Sequence, residues 1–161
     1  MTLVAARRRG KRFDSAEQEV FLNLWRTYDR LRALEDELFA RHGLTAQQYN
    51  ALRLLRAAHP DTVPTLTLAG RLVSRAPDIT RLLDRLAERG FVERARPADN
   101  RRTVQVGITE AGRTLLDSLA AEVRDCHARQ LGHLSPAEIS TLVALLHKAR
   151  APHEPAASDW M

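Results

Sequence analysis

The stretch RARPADNRRTVQVGIT, residues 94–109, places Arg94, Arg96, Arg101 and Arg102 around one aspartate, Asp99. Guanidinium is permanently charged and planar, with several donors in a fixed fork, so it suits phosphates and guanine edges. Asp99 stands two residues before Arg101, close enough in sequence to pair with it and fix its direction. A guanidinium aimed in advance suits a narrow, electronegative DNA minor groove. The alternative is a charged hairpin tip that only keeps a strand edge soluble. A second group lies upstream, at Arg75, Pro77, Asp78, Thr80 and Arg81. Arginine can bond guanine through two donors, and threonine can bond phosphate or base edges. Asp78 suits a helix N-terminus but would repel phosphate. It could accept from a cytosine amino group or brace Arg75 or Arg81. The neighbouring Arg85, Glu88 and Arg89 read as an ordinary solvated face.

These groups need a frame, and the chain supplies one of single-domain size. It has 161 residues, 44% hydrophobic and 28% charged, a net charge of +5 and a sequence pI near 10.3. The basic balance suits a polyanionic partner. One cysteine, Cys126, excludes an internal disulfide and suits a reducing cytoplasm. No apolar run reaches the roughly 20 residues of a membrane span. No apolar segment follows the basic start, so it does not read as a secretory signal. We expect a cytoplasmic protein with no membrane partner.

Residues 1–14 read as a disordered basic arm. Ser15 and Gln18 form a capping box opening a helix to about residue 41, with apolar residues Val20, Leu24, Tyr28 and Leu31 widened by Phe21 and Trp25. Gly43 ends it. Thr45 and Gln48 open a second helix, which His59-Pro60 closes. A linker at 61–64 precedes a brief helix near 66–72. A tight connection at 73–75 leads to a helix over about 75–89, with Pro77 in its first turn and Ile79, Leu82, Leu83 and Leu86 as its stripe. Residues 91–96 and 103–108 read as strands around an exposed loop. Val104, Val106 and Ile108 lie on one face, with Thr103, Gln105 and Gly107 on the outer one. Thr109 caps a helix to about residue 131, striped by Leu116, Leu119, Val123 and Cys126. Ser135 and Glu138, with Pro136 between them, open a last helix carrying Ile139, Leu142, Val143 and Leu146.

The fold class is therefore mainly α with a small β-wing. A winged helix-turn-helix DNA-binding lobe (44–109) sits between an N-terminal helix (15–43) and C-terminal helices (110–150). Residues 151–161 form a loose tail. The spare apolar faces of the flanking helices suggest dimerisation.

From Leu44 to Gly112 the chain resembles the MarR (multiple-antibiotic-resistance regulator) family of bacterial transcription regulators. The resemblance is carried by DITRLLDRL (78–86), GFVER (90–94), Asp99-x-Arg101-Arg102 and VxVxIT with Gly112. It implies a homodimeric regulator, in most cases a repressor, on a pseudo-palindromic double-stranded operator. It implies that 75–89 reads the major groove and that the Asp99–Arg101 pair serves the minor groove. It also implies release by a small organic effector, in a cleft that Trp25, Tyr28, His42, Tyr49 and Arg53 could approach.

Other classes fit less well. No G-x-S-x-G, phosphate-cradling loop or H-E-x-x-H is present, so no enzyme activity and no cofactor are expected. The six histidines include no i, i+4 pair, and no metal site is expected. A redox-responsive regulator would use Cys126, but that residue falls on an apolar stripe, where a packed thiol is the simpler reading. A non-specific architectural DNA-binding protein would keep strong salt dependence with little sequence preference. A helical dimer that binds another protein would have negligible DNA affinity.

Overall fold

The computed structural model describes residues 12–156. Most of the expected N-terminal arm and the last five residues lie outside them. Six α-helices, a short 3-10 turn and three strands follow in the order α1 (Ala16–Arg41), α2 (Ala46–Ala58), β1 (Val63–Pro64), α3 (Thr65–Arg71), α4 (Ile79–Glu88), β2 (Val92–Ala95), β3 (Gln105–Ile108), α5 (Glu110–Leu131) and α6 (Pro136–Arg150).

Local capping sets most boundaries. The Thr45 hydroxyl accepts from the Gln48 N–H while the Gln48 side chain accepts from the Thr45 N–H, a reciprocal box repeated at Ser135 and Glu138. Thr109 caps α5 through the Gly112 N–H. The box expected at Ser15 forms by half. Ser15 accepts from the Gln18 N–H, but the Gln18 side chain bonds Asp14 instead. Gly43 and Gly90 follow α1 and α4 at φ 65 and 74, the left-handed conformation that glycine adopts without a Cβ clash.

The core belongs to the lobe. Leu52 and Leu55 of α2, Leu68 of α3, Leu83 and Leu86 of α4, Val106 of β3, and Leu116 and Leu119 of α5 are sealed from solvent. Leu38 and Phe39, at the C-terminal end of α1, join them, and Phe39 stacks on Tyr49 with 4.5 Å between ring centres. The stripes expected for α4 and α5 therefore converge on one cluster, whereas those of α6 and of the N-terminal part of α1 stay outside it.

Four expectations need correcting. The segment at 61–64 is not merely a linker. Val63 and Pro64 form an edge strand opposite Val106 and Gln105, giving an antiparallel sheet ordered β1-β3-β2. Pro64 is tolerated there because an edge strand has a side that needs no donor. Pro77 is not in the first turn of α4. The Asp78 carboxylate accepts the Arg81 N–H at 2.9 Å, which makes Asp78 the cap and starts the helix at Ile79. Gly107 does not face open solvent; it is buried, and a Cβ there would lie 3.3 Å from the Thr62 methyl. Finally, the chain does not loosen directly at 151, because Ala151–His153 form a 3-10 turn spanned by an Arg150–Glu154 ion pair of 2.8 Å.

Candidate nucleic-acid interface

Two exposed elements present the basic groups. The first is the start of α4. Its apolar stripe of Leu82, Leu83 and Leu86 is buried, which turns Thr80, Arg81 and Arg85 outward. Arg75, Pro77 and Asp78 stand exposed on the segment just before it. Among the described residues neither Arg75 nor Arg81 has an ion-pair partner, so their charge is available to a ligand. Asp78 spends its carboxylate on the helix cap. This answers why an acid sits among these basic groups: it satisfies an otherwise unpaired helix N–H.

The second element is the wing, the loop between β2 and β3. Its backbone turns twice, through Asn100 N–H to the Pro97 carbonyl and Thr103 N–H to the Asn100 carbonyl. Asn100 Nδ2 donates to Thr103 Oγ1 at 2.9 Å, and Arg96 Nη1 donates to the Arg101 carbonyl at 3.1 Å. Among the described residues no ion pair joins Asp99 to Arg101. The anticipated bracing is thus absent as a side-chain pair; Arg96 holds the Arg101 backbone instead. Arg101 and Arg102 remain exposed, with no acid beside them among the described residues.

Helix and wing are tied together. Arg94 of β2 forms an ion pair of 2.6 Å with Asp84 of α4. A groove of about 580 Å³ runs between them, lined by Thr80, Arg94, Arg96, Arg102, Thr65 and Leu66 among others. Thr80, Arg96 and Arg102 of the sequence-derived set therefore share one surface. Thr65 and Leu66 were not singled out from sequence, since only the fold brings α3 against the wing; Arg94 was counted in the basic stretch, but its pairing with α4 was not foreseen. Arg89 is structural: its guanidinium donates to the Gly43 and His42 carbonyls at 2.7 and 3.1 Å and lies over the Phe91 ring.

The residues expected to approach an effector stand in different local surroundings. Tyr49 and Arg53 meet at 3.4 Å, whereas His42 bonds Glu122 of α5 at 3.1 Å. Trp25 and Tyr28 are exposed on α1. Cys126 is buried beside a small cavity of about 130 Å³ between α1 and α5. Burial, with Glu35 nearby, pushes its thiol pKa up, away from the reactive thiolate. Among the described residues no group of three His, Cys, Asp or Glu side chains could hold a metal ion, and no helix is long and apolar enough to cross a membrane.

Comparison with known proteins places this geometry. The MarR family profile matches residues 44–104, the lobe with most of its wing. A MarR transcription factor from Planctomyces limnophilus is 55% identical, with a TM-score of 0.68 over 85% of this chain and 99% of that one. The transcriptional regulator YkoM of Bacillus subtilis is 28% identical across 85% of this chain and 90% of its own length. A cysteine-to-serine variant of MarR from Escherichia coli, solved with operator DNA, is 26% identical, with a TM-score of 0.73 over 81% of this chain and 93% of that one. The likeness spans nearly the whole length of the first two of these relatives, and the chain belongs to the MarR family of DNA-binding transcription regulators.

Proposed function

We propose that the protein is a homodimeric, sequence-specific repressor that binds a pseudo-palindromic operator and leaves it when a small organic molecule binds. The observation that carries the DNA reading is the placement of Arg75, Arg81, Arg101 and Arg102. All four are exposed and none has an acid partner among the described residues, while Arg94 and Arg89 are committed to internal contacts. In this reading α4 enters the major groove with Thr80 and Arg81, and Arg101 enters the neighbouring minor groove. The repressor sense is supported by similarity to the HTH-type transcriptional repressor YetL of Bacillus subtilis, 30% identical over 65% of this chain and 62% of that protein.

A homodimer follows from what the single chain leaves uncovered. α6 buries none of its residues, and Val20, Phe21, Trp25 and Tyr28 stand out from α1. Apolar faces this extensive mark a protein contact. Trp25 and Tyr28 suit that contact better than an effector wall. Two copies joined there would present half-sites one or more turns apart, each turn about 10–10.5 base pairs.

Fluorescence anisotropy on DNA from upstream of the protein's own gene, against a scrambled duplex and across a salt series, tests the reading. Preferential binding to the native duplex is the expected result. Arg101→Ala should weaken it by about 1–3 kcal/mol. Equal affinity for both duplexes would replace the repressor with an architectural protein. Unchanged affinity and salt slope in Arg101→Ala would remove the wing from the interface.

A further inference from the structure

Arg75 sits on a segment with little backbone support. Between the end of α3 at Arg71 and the cap at Asp78, the stretch Val73–Pro77 makes no hydrogen bond to another backbone group among the described residues. Val73 is two-thirds exposed, and Ser74 and Arg75 are exposed as well. Leu72 is buried and Ala76 packs against the core, so the segment is pinned at two points with a free span between. Left alone, such a span would have to be ordered each time Arg75 met a ligand, and that entropy would oppose binding.

The span is held from α2. Asn50 Oδ1 accepts the Val73 N–H at 2.9 Å. One turn earlier, Gln47 Nε2 donates to Ser74 Oγ at 3.3 Å and to the Arg75 carbonyl at 3.4 Å. The two amides stand three residues apart and share a helix face. That helix is a firm platform: its Ala51, Leu52 and Leu55 are completely buried. Neither amide belongs to the exposed basic set, and neither serves the capping box of α2, which uses Thr45 and Gln48.

We propose that Asn50, assisted by Gln47, is a positioning residue for operator binding, fixing the Val73–Ser74–Arg75 turn so that Arg75 meets DNA in a preset direction. The proposal rests on the DNA reading of Arg75 given above and adds to it a determinant of affinity outside the exposed basic set. It requires that Asn50 act through Arg75 and not through overall stability.

The test is a double-mutant cycle on the full-length protein, read by anisotropy on the operator duplex. Arg75→Ala alone should weaken binding about tenfold or more. Asn50→Ala alone should weaken it about 3- to 10-fold, the loss of one neutral hydrogen bond. The double variant should bind no worse than Arg75→Ala, because the turn no longer carries anything to aim. Thermal midpoint and oligomeric state should stay those of the parent, while the Val73 amide exchanges with solvent faster in Asn50→Ala. Multiplying losses in the double variant, or Asn50→Ala binding like the parent while Arg75→Ala is weak, would overturn the positioning role and leave the DNA reading standing. Parental binding by Arg75→Ala would overturn both at their shared root. If Asn50→Ala proves too unstable to purify, Gln47→Ala completes the same cycle with the same criteria.

Discussion

Leu52, Leu55 and Leu83 in the lobe are fully enclosed, whereas Leu142 and Val143 of α6 are 36% and 61% exposed. Both sets were placed by the same 3.6-residue periodicity. The contrast runs even within α1, where Phe21 and Trp25 stand in solvent and Leu38 and Phe39, four turns further on, are buried. Periodicity marks a face that wants covering; it does not say what covers it. In the lobe the chain covers itself, with helices and the three-stranded sheet closing over one core cluster. In the outer helices a single copy cannot, which is why we assign that face to a second copy.

The largest effect expected from this contrast is in the lobe. Leu83→Ala should cost about 2–5 kcal/mol, since it opens a cavity in a sealed site. Val143→Ala, an exposed truncation, should leave the intrinsic stability of the lobe almost unchanged and instead raise the dimer dissociation constant. Chemical denaturation and sedimentation equilibrium on the two variants separate these results. A large denaturation shift in Val143→Ala at protein concentrations where the parent is monomeric would erase the distinction.

A smaller effect is expected where the wing sheet meets α5. Gly112 lies so close to Phe91 that an added Cβ would collide with the Phe91 carbonyl oxygen and crowd the Ile108 side chain. Backbone cannot swing aside as a flexible side chain can, so Gly112→Ala should destabilise by about 1–3 kcal/mol. It should also weaken operator binding, because Ile108 and Phe91 are where the wing is rooted. Thermal melts together with anisotropy check both; a parental melting temperature would show that α5 can shift freely against the wing.

Much of this arrangement was readable because its causes are local. Thr45, Thr109 and Ser135 cap helices with bonds to groups three residues away, and a reader needs only the spacing. The exposure of Thr80 and Arg81 was readable for the same reason, as they lie opposite a plain leucine stripe on α4. What escaped depends on distant partners or on competition between nearby signals. Pro77 and Asp78 both advertise a helix start, and the choice falls to Asp78 because its carboxylate reaches the Arg81 N–H. Val63 and Pro64 are a strand only because Val106 and Gln105 lie beside them. Gly107 is buried by Thr62, and Arg94 is drawn to Asp84, across gaps no spacing rule spans. Asn50 and Gln47 share one face of α2, and nothing in their spacing tells that the α3–α4 turn lies beside them.

The smallest effect concerns charge at the seam between α1 and α5, the junction of the outer layer with the lobe. Glu122 receives His42 at 3.1 Å and Arg41 at 3.0 Å, and these bonds, His42 first, hold its carboxyl below the ordinary carboxylate range. A carboxyl whose folded pKa is depressed contributes stability that is complete above its unfolded pKa and is lost as pH falls through the folded one. Acid should therefore loosen this seam, from the ordinary carboxylate range downward. The group is solvent-exposed, so the contribution is modest and salt should screen it. Glu122→Gln removes the titration while keeping a similar shape. Between pH 6 and pH values of about 3–4, below the usual carboxylate midpoint, the parent should lose more thermal stability than the variant, and added salt should narrow the difference. Parallel pH profiles for the two proteins would mean that α1 is held on the lobe by the packing of Leu38 and Phe39 and by uncharged bonds such as that from Gln130 Nε2 to the Leu31 carbonyl, with the Glu122 ion pairs adding little to a seam already closed.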